Sequence, residues 1–333
     1  TNFGYAASNQ EVKSVAVKDG KYYAAGNSIG AATLSMPTVI RYNSDSTIDT
    51  DFGTSGVALQ DVYVGDSAFL SKMIIDDDGS VYASGHINYL TIRFCTIYKT
   101  TPTGVTDTDY GNFPGRSNYV HTGGENCVYT DLKKQGNKIV AVGYSANLDA
   151  MILSRHTAAG ILDTSFGVSG TGIDKIYLPN SINTAGTGVV IDSSGRILVA
   201  GTHKATGDTI KNMFVQRYTA DGLLDSSFGN SGTFIYNSDV TTKSYDTTKI
   251  ALQSSGRIIV SGYAADAATN NYNSVLLGLT PEGAGDSEFG DSGMVEIPWE
   301  TNTDTNGLDG YFDFHIRSDD SILASGIWHY EGA

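Results

Sequence analysis

The sequence predicts an all-β fold: a β-propeller of four-stranded antiparallel blades, six in number, with the last blade incomplete and shared by both chain ends. Three observations carry this. The stretch Leu162-Asp163-Thr164-Ser165-Phe166-Gly167-Val168-Ser169-Gly170 returns as Leu224-Asp225-Ser226-Ser227-Phe228-Gly229-Asn230-Ser231-Gly232 and as Ile48-Asp49-Thr50-Asp51-Phe52-Gly53-Thr54-Ser55-Gly56. Looser copies run from Thr106 to Gly111, with Asp107 and Tyr110, and from Gly285 to Gly290, with Asp286 and Phe289; Thr1-Asn2-Phe3-Gly4 is a clipped one. From aromatic to aromatic the steps are 49, 58, 56, 62 and 61 residues. A second landmark, a turn followed by an apolar strand, a small residue and Gly, ends at Gly26, Gly85, Gly143, Gly201, Gly262 and Gly326 in the same order. Helical periodicity is absent almost everywhere.

Each repeat reads as four strands. The first is short and apolar, as in Lys13 to Val17, Met73 to Ile75 and Gly188 to Ile191, and closes in an Asp/Ser/Gly hairpin such as Asp77-Asp78-Gly79. The second, for example Ile197-Leu198-Val199-Ala200-Gly201, is apolar throughout and therefore buried on both faces. The third carries Val39-Ile40-Arg41-Tyr42 or Val215-Gln216-Arg217-Tyr218. The fourth follows the Phe-Gly turn, as in Val57 to Leu59 and Thr233 to Tyr236. The expected units are 9–56, 68–115, 126–172, 186–235, 246–296, and 307–333 combined with 1–8, forming one propeller domain over 1–333. The last unit lacks a third strand, and a seventh blade stays open if the chain is a fragment.

In the Phe-Gly turn, Asp49, Asp107, Asp163, Asp225 and Asp286 stand three residues before the aromatic, where a short carboxylate accepts backbone N–H bonds. The aromatics Phe52, Phe166, Phe228 and Phe289 are placed as wedges between blades, each ring worth about 1.5–3 kcal/mol on burial. No cofactor is expected. The alternative for the aspartates, Ca²⁺ ligation, has its best local candidate in Asp76-Asp77-Asp78-Gly79, but one carboxylate per turn falls short of the oxygens calcium requires.

The chain has 333 residues, a formal charge of -15 and 17% charged residues. Such a surface repels phosphate backbones, which argues against a nucleic-acid partner. No apolar run approaches the length that spans a bilayer, so membrane insertion is not expected. No targeting segment is visible, and the chain reads as a processed or excised part of a longer polypeptide. Cys95 occupies the slot filled by Val39, Leu153 and Val215 and should face the core; a disulfide with Cys127 and two buried free thiols are both open.

The paired landmarks resemble the bacterial delta-60 repeat family. The likeness is strong over 186–232, clear over 11–56, 126–170 and 246–293, degenerate over 70–111, and limited to the first half of the repeat over 307–333. It implies a propeller-like fold in secreted or cell-surface bacterial proteins, including surface fibres and adhesins, and it brings no catalytic residues.

In a four-stranded antiparallel blade, connections one-to-two and three-to-four share one end, and connections two-to-three and four-to-one share the other. The regular turns are all of the first kind and the divergent loops all of the second. A rigid scaffold with divergent loops at one end points to binding there. The loops carry Tyr89, Tyr119, His121, Tyr245, Tyr272, Trp299, Trp328 and His329, the expected ligand-binding residues; aromatic rings beside polar groups suit sugars and protein partners alike. His156 replaces the strand-three tyrosine and reads as structural. No nucleophile elbow, phosphate loop or metal-ligand spacing occurs. The leading expectation is thus a noncatalytic, secreted or cell-surface module, an adhesin or fibre tip taking a glycan or protein on a foreign cell, with a homotrimer as the assembly a fibre would impose. The alternatives are a polysaccharide-active hydrolase or lyase with carboxylates at the channel mouth, and a structural spacer.

Overall fold

A computed structural model describes residues 10–29, 35–59, 67–119, 126–145, 150–236, 242–266, 271–297 and 313–326. The protein is an all-β propeller with four-stranded antiparallel blades, five of them rather than the expected six. Blade 1 is β1 (Gln10–Lys18), β2 (Lys21–Ile29), β3 (Ser35–Tyr42) and β4 (Val57–Leu59). Blade 2 is β5 (Ser67–Ile75), β6 (Val81–Tyr89), β7 (Ile92–Thr100) and β8 (Arg116–Tyr119). Blade 3 is β9 (Cys127–Gln135), β10 (Lys138–Ser145), β11 (Ala150–His156) and β12 (Ile173–Ile176). Blade 4 is β13 (Ser181–Ile191), β14 (Ile197–Ala205), β15 (Asn212–Tyr218) and β16 (Thr233–Ile235). Blade 5 is β17 (Lys243–Leu252), β18 (Ile258–Asp266), β19 (Asn271–Leu279) and β20 (Met294–Ile297).

The sixth blade is corrected to a two-stranded sheet, β21 (Asp313–Ile316) with β22 (Ile322–Ser325). Among the described residues this unit holds only the hairpin that carries its second landmark, and residues 1–8, assigned to complete the blade, lie outside the described residues.

The chain divides into two compact units. The first comprises Thr1–Leu148, Ile152–Ser165 and Ser169–Lys175; the second comprises Asp149–Met151, Phe166–Val168 and Ile176–Ala333. Within the first, Tyr23 and Phe52 of blade 1 pack with Leu70, Met73 and Tyr98 of blade 2, and Tyr82 and Tyr110 of blade 2 pack with Tyr129 and Leu132 of blade 3. Within the second, Leu198, Met213, Val215 and Phe228 of blade 4 meet Tyr245, Ile250, Val260 and Val275 of blade 5. Burying both faces of each sheet explains the unbroken apolar second strands.

The glycine closing the second landmark has a steric cause. The first strand bulges opposite it, with register shifts at Val12/Ser14, Leu70/Lys72 and Thr247/Lys249. A Cβ on Gly85 would lie 1.8 Å from the Phe69 carbonyl oxygen, so only glycine lets the bulged strand approach.

Cys95 of β7 and Cys127 of β9 form a disulfide, with Cα atoms 5.1 Å apart. That separation lies in the ordinary range for the bond, and the link joins blades 2 and 3.

Candidate functional site

The Phe-Gly turns form the stiff end of each blade. Asp49 accepts the Asp51 N–H at 3.3 Å, Asp163 that of Ser165 at 3.2 Å, and Asp225 that of Ser227 at 3.1 Å. Each carboxylate also closes on the strand-three cation: Arg41 Nε donates to Asp49 at 2.8 Å, Arg155 to Asp163 at 2.7 Å and Arg217 to Asp225 at 2.7 Å. Lys99 takes that place toward Asp107 at 2.8 Å. Burial alone would raise the Asp163 carboxyl, but bonds from Lys138, Ser165 and Arg155 hold it well below the usual range. Phe52, Phe166 and Phe228 are fully buried, whereas Phe289 is only partly so. The Phe52 ring lies against Gly104, where a Cβ would meet it at 2.9 Å, and the Gly53 N–H donates to Thr103 O at 2.7 Å. Phe228 and Gly283 repeat the arrangement in blades 4 and 5, with Gly229 N–H donating to Glu282 O at 2.7 Å.

Asp76 accepts from Lys134 and from the Asp77 N–H, while Asp78 accepts from the Ser80 N–H at 2.8 Å. An ammonium thus occupies the place proposed for calcium. Among the described residues no group of three or more His, Cys, Asp or Glu is placed to hold a metal ion.

Of the loop residues singled out in the sequence, His121, Trp299, Trp328 and His329 lie outside the described residues. Tyr119 braces blade 3: its hydroxyl accepts the Leu162 N–H at 3.1 Å and its ring meets His156 edge-on at 5.5 Å. Tyr245 is buried against Tyr236, ring centroids 5.1 Å apart. Tyr89 is exposed at the tip of the β6–β7 hairpin. Tyr272 lies tilted against Tyr263, centroids 6.0 Å apart, at the loop end of blade 5.

That loop end of blade 5 gathers charged groups the sequence reading did not single out. Glu296, at the end of β20, accepts from Lys243 Nζ at 2.7 Å and from Asn273 Nδ2. Asp266 stands opposite Lys243 in the β17–β18 register. Asp246 accepts both oxygens' bonds from Lys211 Nζ, at 3.1 and 3.2 Å. Burial works to raise the Glu296 carboxyl, but Asn273 and Lys243 outweigh it and hold the group below the usual carboxylate range. A carboxylate held ionised in this way can accept a proton or stabilise a developing cation; it cannot donate a proton near neutrality. Among the described residues every carboxyl with a resolved shift is shifted downward, so the proton donor of an acid–base pair is not among those groups.

One serine–histidine contact has the distance of a nucleophile–base pair. Ser117 Oγ lies 3.0 Å from His156 Nδ1, and His156 Nε2 lies 3.2 Å from the Tyr129 hydroxyl, which accepts from Ser154 at 2.7 Å. All four side chains are fully buried, so no substrate reaches them. Burial also pushes His156 down to about 4, leaving a neutral structural ring.

The comparisons with known proteins bear on the fold first. A family model described as a domain of unknown function, β-propeller, matches residues 18–52 and 193–228, which supports a β-propeller repeat family. No curated protein sequence matches the chain. Among solved structures, the exo-β-1,3-galactanase of Phanerochaete chrysosporium is 10% identical over 88% of this chain and 67% of its own, with a TM-score of 0.42. An endo-1,4-β-xylanase of Bacteroides thetaiotaomicron is 10% identical over 96% and 97%, TM-score 0.38. Sqt1 of Chaetomium thermophilum is 11% identical over 98% and 97%, TM-score 0.38. At such identities the likeness is one of fold and assigns no residue. The expectation of a noncatalytic adhesin domain is nevertheless corrected: the similar structures include several glycoside hydrolases, and the reading carried forward is the alternative, a polysaccharide-active enzyme.

Proposed function

We propose that this chain is a polysaccharide-active enzyme, a hydrolase or lyase, working at the loop end of its blades. The observation that carries the reading is Glu296, held ionised by Lys243 and Asn273 beside Asp266, on a blade whose loop end also presents the Tyr263–Tyr272 pair. An ionised carboxylate supplies the base or the electrostatic stabiliser of glycosidic chemistry. Tyrosine rings offer flat apolar surface to the C–H faces of sugar rings, with hydroxyls at their edges.

The same reading places the protein outside the cell, as a member of the delta-60 repeats. The Cys95–Cys127 disulfide supports an oxidising compartment. A glycan is then the partner.

The test is release of reducing ends, or of unsaturated ends, from a panel of plant, algal and bacterial polysaccharides. Glu296→Gln keeps the hydrogen bond to Asn273 and removes the charge. Turnover should fall about 100-fold with the fold intact by circular dichroism. Absence of cleavage across the panel, or a Glu296→Gln variant as active as the parent, would sink the proposal.

A further inference from the structure

At the opposite, turn end of blades 4 and 5 lies a cavity of about 250 Å³. It falls just below the roughly 300–1,000 Å³ typical of drug-sized ligand sites, which suits a single sugar residue. Leu252 and Pro281 give it a small apolar wall, backed by the buried Leu198 and Ile258, and Asp192, Arg196 and Arg217 line it with polar groups.

Blades 1 and 2 hold a larger side chain at the same place. The position of Leu198 is held by Tyr23 in blade 1 and Tyr82 in blade 2, each 5% exposed and packed edge-on against the local wedge, Phe52 or Tyr110. Leucine leaves that volume unfilled. The cation at the start of the second strand also behaves differently. Lys21, Lys138 and Arg257 each reach the turn aspartate of their own blade, Asp49, Asp163 and Asp286. Arg196 instead donates from Nε to Asp192 at 2.7 Å, and its two terminal nitrogens have no partner among the described residues.

We infer that this cavity is a second saccharide site, remote from the loop end, that holds one neutral sugar residue of a polysaccharide. The choice of a sugar rests on the proposed function; the site does not. The apolar wall of Leu252 and Pro281 meets one C–H face of a pyranose. Arg196 donates and Asp192 accepts, the pair of contacts that two neighbouring hydroxyls need. The charges at the site balance, since Arg196 faces Asp192 and Arg217 faces Asp225. On a chain of net charge -15 this favours an uncharged residue over a uronate.

Calorimetric titration of the whole chain with xylo-, gluco- and galacto-hexaose, and with oligogalacturonate of equal length, tests this. At least one neutral hexaose should bind, with Kd near or below about 1 mM. Leu198→Tyr, which restores the residue of blades 1 and 2, should remove one binding event and leave any binding at the loop end in place. Arg196→Ala should weaken that event about tenfold and guards against misfolding of the first variant. Binding is read without turnover, and Leu198→Tyr and Arg196→Ala lie at the turn end of blade 4, away from Glu296, so failure of the enzyme proposal and failure of this site are separable. No binding by any neutral hexaose, unchanged binding in folded Leu198→Tyr or in Arg196→Ala, or tighter binding of the uronate would overturn the inference.

Discussion

At the turn end of blades 1 and 2, Tyr23 lies edge-on to Phe52 with centroids 6.0 Å apart, and both Lys21 and Arg41 close on Asp49. At the same place in blades 4 and 5, Leu198 stands for the tyrosine and Arg196 turns away to Asp192. The backbone frame is shared: an aromatic wedge on a glycine, a backbone bond from the next residue, and an arginine that reaches the neighbouring blade's Pro102 or Pro281 carbonyl. A repeat therefore keeps its blade-to-blade stitching constant while two side chains decide whether the junction is filled or hollow.

The stitching sets the largest expected effect. Phe52→Ala and Phe228→Ala should each destabilise by about 3–5 kcal/mol in denaturant titrations. A difference between them above about 2 kcal/mol would break the equivalence of the two junctions. Next come the turn carboxylates. Asp163 receives two cations, Lys138 and the buried Arg155, so Asp163→Asn should lose about 3 kcal/mol. Asp225 receives Arg217 alone, and Asp225→Asn should lose less, about 1–2 kcal/mol. Equal losses would show that the second cation adds nothing.

Filling and emptying the junctions should give smaller and opposite results. Tyr23→Leu creates in blade 1 the gap seen in blade 4 and should lose about 2 kcal/mol. Leu198→Tyr should stay within about 1.5 kcal/mol of the parent, because the space exists. Acid sensitivity is spread over the widest range of conditions and is small at any one pH near neutrality. Burial pushes both His86 and His156 down to about 4 from the ordinary 6.5. The unfolded chain binds their protons first, so the stability they permit is complete above pH 6.5 and falls as pH drops toward 4, by at most about 1.4 kcal/mol per pH unit for each ring. His156→Tyr, the residue of Tyr42 and Tyr218, should flatten part of that slope in thermal melts between pH 7 and 4.5.

Much of the fold was legible because each blade's signals are local. The Asp-to-aromatic spacing marks a turn whose carboxylate bonds backbone two residues on, and the apolar second strands mark sheets buried on both sides. The salt bridge between strand three and the turn was also within reach: Arg41, Arg155 and Arg217 each precede their aspartate by eight residues. Blade number differs because the sixth unit, expected to be incomplete, shows only its first two strands among the described residues. The sites were far less legible. Glu296 is one acid among 36, and only the register that brings Lys243 and Asn273 to it sets it apart. The cavity rests on a leucine that fits the strand pattern as well as a tyrosine does. Tyr245 was read as a loop aromatic on composition, yet the long β17 carries it inward.

The bridge between Cys95 and Cys127 spans 32 positions of sequence and crosses from one blade to the next. A protease that cuts anywhere between them yields two pieces that stay attached. A nick in that interval would be visible on a gel only after a thiol reagent is added, and the nicked protein would still travel, bind and unfold as a single particle.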